Sequence, residues 1–434
     1  MEQFAIRSIY CRIPLICNIF FFFSTGVSSH LTVNVPRTIL INMKPPPSVL
    51  RIPLWAFPER SPQKVSANKQ PRDKDLCQTS PDWLKTIHNV TEDIMDEVKE
   101  GLRYVFQTKN RVVCCISGTG HAGMEATMSN LIEPGTIILI ASNGIWGQRA
   151  ADMAKRQDAD VRMIEKPGGD NFTKSDIEAA LIEHKPAITF MVQGESSTGV
   201  YQPLDGMGEI CHKHGALLAV DAVASLGGVP FYMDDWSVDV VYTGTQKVIS
   251  APPSMAPIAF SDKAMSFVAS RKSPTRSFYT DITCLANYWG CDGTPRKYHH
   301  TGPVSSVYAL REALAIVCDE GLESLLIRHK AAAERLWAGL AELGLEMYVS
   351  DVSKRLPTVN TIRVPEGIDW MRVTKYFMSK YLVEISGGLG PSAGQVWRVG
   401  LMGYNCTTDN VDLVLKIMKE ALADARSQDT ASKL

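Results

Sequence analysis

Three side chains at the ends of apolar runs could do chemistry together. Asp221 closes the run Ala216–Val220, and Lys247 follows Val238–Tyr242 through Thr243-Gly244-Thr245-Gln246. The run Val112–Ile116 leads into Ser117-Gly118-Thr119-Gly120-His121, which opens a helical stretch. A carboxylate at the end of a buried strand needs a positive partner. A glycine-bearing turn entering a helix presents backbone N–H groups to an anion. Each feature alone has a plain reading: a helix cap, a surface lysine, a turn. Together they suit pyridoxal phosphate, with the lysine forming a Schiff base, the aspartate pairing with the pyridine nitrogen and the turn cradling the phosphate. Farther on, Arg398 follows Val396-Trp397, and its planar guanidinium can hold a substrate carboxylate through two parallel bonds.

The elements that must position these residues are legible as alternation. Apolar runs at Val112–Ile116, Thr136–Ala141, Ala187–Val192, Ala216–Val220 and Val238–Tyr242 read as strands. Met124–Ile132, Gly147–Arg156 and Lys174–His184 read as helices between them. Continuous apolar strands joined by helices predict an α/β fold with a mostly parallel sheet covered on both faces. Ligands of such sheets bind beyond the carboxyl ends of the strands, where the three features fall. Ile94, Met95, Val98, Leu102, Val105 and Phe106 have helical spacing ahead of the first strand. From about residue 303 the texture changes: a helical run Val304–Leu343, the apolar stretch Leu356–Val364, a helix from Trp370, a strand Tyr381–Ile385 and a last helix from Asp409. The expected division is a leader or gene-model extension at 1–42, an arm and irregular segment at 43–90, a large cofactor-binding domain at 91–305 and a smaller α+β domain at 306–434.

Composition removes whole classes of function. With 46 acidic and 45 basic residues in 434, the chain lacks the basic excess of a nucleic-acid binder. A hydrophobic fraction of 45% and a charged fraction of 21% suit a globular protein and no disordered or fibrous chain. The 10 cysteines form no CxxC pair and no metal-ligand spacing, so no metal site is expected and a reducing compartment is. The two ends disagree about address. Ile13–Phe23 has the size of a signal-peptide core, too short to span a bilayer. The chain ends in Ser432-Lys433-Leu434, a receptor-read peroxisomal signal. A peroxisomal protein recognised by the import receptor is the expectation, with a mitochondrial or secretory route as the alternative if the leader is genuine.

The motifs Asn143-Gly144-Ile145-Trp146-Gly147-Gln148-Arg149, Gly194-Glu195-Ser196-Ser197-Thr198-Gly199 and Val220-Asp221-Ala222-Val223-Ala224-Ser225-Leu226-Gly227-Gly228 are more specific. With Tyr298-His299-His300-Thr301 and Ser386-Gly387-Gly388-Leu389-Gly390-Pro391, they closely resemble the alanine–glyoxylate (serine–pyruvate) aminotransferases, fold-type I enzymes using pyridoxal phosphate. The match runs from about Glu92 to Leu422. The resemblance implies that Lys247 is the Schiff-base lysine and proton shuttle. It implies that Asp221 meets the pyridine nitrogen, that Trp146 stacks on the ring and that Val223 packs on the other face. Thr119, Gly120, His121 and Gln246 would surround the phosphate, joined by Tyr298 and Thr301 of a partner subunit, so a homodimer is implied. Ser196 would lie at the ring hydroxyl, and Arg398 would hold the carboxylate of small amino and 2-oxo acids. The implied reaction moves the amino group of alanine or serine to glyoxylate in ping-pong fashion. A 3-hydroxykynurenine transaminase shares nearly all these residues, and a cysteine desulfurase would need a reactive loop cysteine, for which Cys406 is the candidate. The family's Gly-Pro-Gly-Pro-Ser-Asn loop has no counterpart; Pro58-Glu59-Arg60-Ser61-Pro62-Gln63-Lys64-Val65-Ser66 stands in its place. Loss of that loop is what a non-catalytic homologue would show.

Overall fold

The computed structural model describes residues 81–432. The expected leader, the Pro58–Ser66 stretch and the last two residues lie outside the described residues. The described residues open on helix α1 (Pro81–Phe106), which begins inside the 43–90 segment expected to be irregular and continues without a break into the expected helix, whose Val98, Leu102 and Phe106 are fully buried. The alternation then begins with β1 (Val112–Ser117), α2 (Gly120–Leu131), β2 (Ile137–Ser142), α3 (Ile145–Arg156), β3 (Asp160–Glu165), α4 (Lys174–His184) and β4 (Ile188–Val192). A small hairpin, β5 (Gly194–Glu195) and β6 (Val200–Tyr201), precedes α5 (Met207–Lys213), β7 (Leu217–Asp221), β8 (Val240–Tyr242) and β9 (Met255–Phe260). Helices α6 (Asp262–Ala269) and α7 (Ile282–Tyr288) complete this part.

Among the described residues a seven-stranded sheet runs in the order β1-β9-β8-β7-β4-β2-β3. Only β9 is antiparallel to its neighbours, so the sheet is mostly parallel, as the alternation predicts. β4, β7 and β8 are buried at every position, which is why they read as unbroken apolar runs. Two strands escape that reading. β3, at the sheet edge, alternates Asp160, Arg162 and Glu165 with apolar residues and is only partly covered. β9 carries Pro257, a residue that argues against a central strand. Here its carbonyl accepts from Thr243 N at 2.9 Å.

The helical run expected over Val304–Leu343 is two helices, α8 (Val304–Glu320) and α9 (Leu322–Glu342), parted by Gly321 at φ 80°. That backbone region favours glycine and ends α8. α8 lies on α1, and its Leu310 and Leu314 join the core of the large sheet. A second core gathers later residues. It lies under β10 (Val359–Arg363), α10 (Trp370–Tyr381), β11 (Ser386–Gly387), β12 (Val396–Gly400) and α11 (Thr408–Ser432), around Leu336 of α9, Phe377, Trp397 and Ile417. The sheet there is antiparallel, in the order β10-β12-β11. The strand expected at Tyr381–Ile385 does not form. α10 runs through Tyr381, whose hydroxyl donates to Glu420 Oε2 at 2.6 Å, and Leu382 turns the chain in the left-handed region at φ 54°.

The two cores meet along the turn between β5 and β6. Four consecutive carbonyl oxygens there accept from the small-sheet side. Arg398 Nη1 reaches Ser196 O at 3.1 Å, and Ser392 Oγ reaches Ser197 O at 2.7 Å. Thr361 Oγ1 reaches Thr198 O at 2.7 Å, and Leu356 N reaches Gly199 O at 2.9 Å.

Candidate active site

The carboxyl ends of the parallel strands β1, β2, β4, β7 and β8 face one crevice, and each supplies a residue marked in the sequence. Asp221, the last residue of β7, is buried and stands opposite Tyr242 in the parallel register with β8. The Tyr242 hydroxyl donates to Asp221 Oδ2 at 2.6 Å, and Val223 N donates to Oδ1 at 2.8 Å. Burial pushes the Asp221 carboxyl up to about 6, against the pull of these two donors and of Lys247. Lys247 is half-buried on the turn after β8, where its N–H donates to Gly244 O at 3.4 Å. Loss of water around the amine pushes its pKa down to about 8; the Arg398 guanidinium adds to this and Asp221 opposes it.

Around this pair lie the groups that could hold a flat, anionic ligand. Thr119 takes the N-cap position of α2 with no capping bond from its side chain; Ala122 N donates to Thr119 O at 2.8 Å, which leaves the Gly120 and His121 amides ahead of it for an anion. Gly120 lies so near Val223 that a methyl group on it would come within 2.9 Å of the valine Cγ2. The exposed ring of His121 meets Trp146 edge to face at 5.3 Å. The Trp146 indole N–H donates to Ser196 Oγ at 2.7 Å, which fixes the ring at the end of the crevice. Gln246 Oε1 is buried and has no hydrogen-bond partner among the described residues. Such an acceptor is costly unless a ligand or water satisfies it. Arg398 reaches in from β12: its Nε donates to Gly387 O at 2.8 Å, and one Nη1 donor goes to Ser196 O. Its Nη2 has no hydrogen-bond partner among the described residues, which leaves donors for a carboxylate.

Tyr298 and Thr301 stand apart from this set. Both are exposed on the loop between α7 and α8, and their hydroxyls bond each other at 2.9 Å. Their neighbour His300 bonds Ser117 Oγ at 2.7 Å, so the loop passes beside the end of β1. Three participants escape sequence reasoning. Tyr242 reads as part of an apolar strand, and its hydroxyl finds Asp221 only through the strand register. Glu195 and Ser197 sit in a quoted motif, but nothing in their spacing shows the fully buried position each takes.

The arrangement therefore combines a buried acid, an amine poised near neutrality, an aromatic wall, helix-end amides and a guanidinium with spare donors. Comparison with known proteins agrees. The family described as aminotransferase class-V matches residues 61–414. An alanine–glyoxylate aminotransferase of Callithrix jacchus is 46% identical over 92% of this chain and 93% of its own. The solved alanine–glyoxylate aminotransferase of Nostoc sp. superimposes with a TM-score of 0.75 at 38% identity, over 82% of this chain and all (100%) of that one. The ureidoglycine–glyoxylate aminotransferase of Bacillus subtilis gives 0.74 at 39% identity, over 77% of this chain and 86% of its own. With that likeness running through both cores and every strand end of the crevice, the chain belongs to the class-V aminotransferases, fold-type I transaminases that depend as a family on pyridoxal phosphate.

Proposed function

We propose that this protein transfers the amino group of alanine or serine to glyoxylate, giving glycine and pyruvate or hydroxypyruvate. The observation that carries the reading is the buried Asp221, held by Tyr242 and Val223, in one crevice with Lys247 and the spare donors of Arg398. The relatives named above share glyoxylate in their names and differ in the amino compound, so the acceptor is the better supported half.

Pyridoxal phosphate, when bound, supplies a carbonyl carbon and an electron-withdrawing ring that make the Cα–H bond of an amino acid acidic. The residues present fit it. Asp221 would hold the pyridine nitrogen in its protonated form, and Trp146 and Val223 would enclose the ring. Thr119, Gly120, His121 and Gln246 would take the phosphate, and Ser196 would stand at the ring hydroxyl. Lys247 would hold the carbonyl carbon through its amine and, once released, take and return the Cα proton. An amine near pH 8 is partly neutral at physiological pH and can accept that proton. Arg398 orients the substrate by its carboxylate, which fixes the Cα–H bond relative to Lys247.

Tyr298 and Thr301, exposed in one chain, would complete the phosphate site of a second copy in a two-fold homodimer. Ser432-Lys433-Leu434 would direct import into peroxisomes, and removing these three residues would leave a tagged protein outside them. Cys406 is buried and burial pushes its thiol up to about 11, an environment unsuited to desulfurase chemistry.

The test is glycine formation from glyoxylate by the purified full chain, with alanine, serine and 3-hydroxykynurenine as parallel donors. Turnover with alanine or serine is expected. Turnover with 3-hydroxykynurenine alone, or a bound cofactor with no turnover, would overturn the reading.

A further inference from the structure

Helix α3 carries Trp146 in its first turn yet has no cap of its own. Its N-cap residue is Gly144, which has no side chain to offer, while the first-turn amides need acceptors. Two side chains from the β5–β6 turn supply them. Trp146 N donates to Glu195 Oε2 at 3.1 Å, and Ile145 N donates to Ser197 Oγ at 3.2 Å. Ser197 is fixed in turn: its hydroxyl donates to Glu195 Oε1 at 2.6 Å and its N–H to the same oxygen at 2.9 Å. The carboxylate is fully buried and the α3 dipole favours its charge. Burial and nearby Asp221 nevertheless push it up to about 7, against the bonds from Ser197 and Trp146.

Gly144 bears on the same contact. Its φ of −179° is extended backbone open to any residue, so conformation does not demand glycine there. Space does: a methyl group at Gly144 would overlap the carboxyl carbon of Glu195. The next residue along the turn, Ser196, accepts from the Trp146 indole. Trp146 is thus pinned at its backbone by residue 195 and at its ring by residue 196.

We propose that Glu195 is the positioning residue of the Trp146 ring, acting across the chain as the cap of α3, with Gly144 keeping the space for its carboxylate. The inference rests on the reading of Trp146 as the wall of the cofactor site, and the experiment separates the two. Amide exchange over residues 143–149 is followed by mass spectrometry in the full chain, before and after pyridoxal phosphate is added. Visible circular dichroism of the added cofactor, kcat and KM are recorded alongside. The variants are Glu195→Ala, Glu195→Gln, Gly144→Ala and the pair Glu195→Ala with Gly144→Ala.

Loss of the cap in Glu195→Ala should speed exchange of the Ile145 and Trp146 amides about tenfold, leave β4 and β7 unchanged, reduce the dichroism and lower kcat more than it raises KM. Glu195→Gln, which keeps an oxygen for Trp146 N, should restore most of both. Gly144→Ala should copy Glu195→Ala in the wild-type background and add little in the double variant, where the overlap is gone. Unchanged exchange in Glu195→Ala, or effects of the two substitutions that simply multiply, would overturn the proposal. Faster exchange with wild-type dichroism and kinetics would overturn it as well. A wild-type chain that takes up no pyridoxal phosphate would sink the functional reading instead, with the exchange comparison still deciding the cap.

Discussion

Replacing Tyr242 by Phe removes one oxygen from the fold and should change how the protein holds its cofactor with pH. Tyr242 is fully buried, and the ring of Phe fills the same space, so no cavity opens. What is lost is the 2.6 Å bond to Asp221 Oδ2, leaving the carboxylate with Val223 N. A hydrogen bond to a charged group contributes about 1.5–3 kcal/mol, which moves the titration of Asp221 up by about one to two pH units. The wild-type carboxyl is already pushed above its ordinary 3.8 to about 6. Its ionisation therefore weighs against the cofactor-free fold: that penalty is absent below about pH 4 and is complete once the pH has risen past the folded value. Only the ionised form pairs with a protonated pyridine nitrogen. The variant should then bind pyridoxal phosphate about five- to fiftyfold more weakly at pH 6, about two- to tenfold at pH 7, and nearly as well as wild type at pH 9. The assay is titration of cofactor-free protein followed by visible absorbance, in steps from pH 6 to 9. A loss that is equal at every pH would refute the argument, because it would mean that Tyr242 acts by shape and not through the Asp221 proton.

Lys247→Ala should abolish transamination while leaving the fold intact, and turnover in that variant would remove the assignment. Because the Lys247 amine titrates near 8, the rate at which cofactor-free protein captures an added aldehyde should rise about tenfold from pH 7 to pH 9; a flat profile would contradict its placement. Arg398→Ala should raise KM for amino and oxo acids alike by roughly ten- to a hundredfold, with a smaller effect on kcat. An unchanged KM would end its carboxylate role. Cys406→Ser should leave transamination within about twofold of wild type, since the thiol is buried beside the Arg328 carbonyl and burial keeps it protonated. A large fall would reopen the desulfurase reading.

Much of the site was legible because its residues interrupt patterns. Asp221 and Lys247 follow apolar strands, where a charge needs a reason, and the alternation of strand and helix puts both at the carboxyl end of the sheet. Arg398 could be singled out by its chemistry, but its strand could not: β12 is short and reads only as an apolar pair beside it. Tyr242 was hidden because Val-Val-Tyr is simply a good strand, and its function depends on a pairing register that one chain segment does not encode. Glu195 was hidden for a related reason. A glutamate between glycine and serine reads as a solvated loop, but its carboxylate is buried against the first turn of α3, which arrives from β2. The strand wrongly expected at Tyr381–Ile385 has a β-type composition, yet Tyr381 finds its partner Glu420 on α11 and continues the helix instead. Pro257 and the charged β3 mislead in the opposite direction, since pairing on both sides secures the one and an edge position tolerates the other.

The seam between the two cores has an asymmetry of a different kind. On one side every acceptor from Ser196 to Gly199 is a main-chain carbonyl, present whatever side chain the residue bears. On the other side three of the four donors, those of Arg398, Ser392 and Thr361, belong to side chains. Substitution can therefore remove a bond of the joint directly only from the small-sheet side. Residues 196 to 198 of the β5–β6 turn can vary their side chains for the chemistry of the crevice while their carbonyls stay in the joint, whereas Gly199, at φ 77° and with a Cβ position 2.7 Å from Thr361 Oγ1, is tied to glycine by the joint itself.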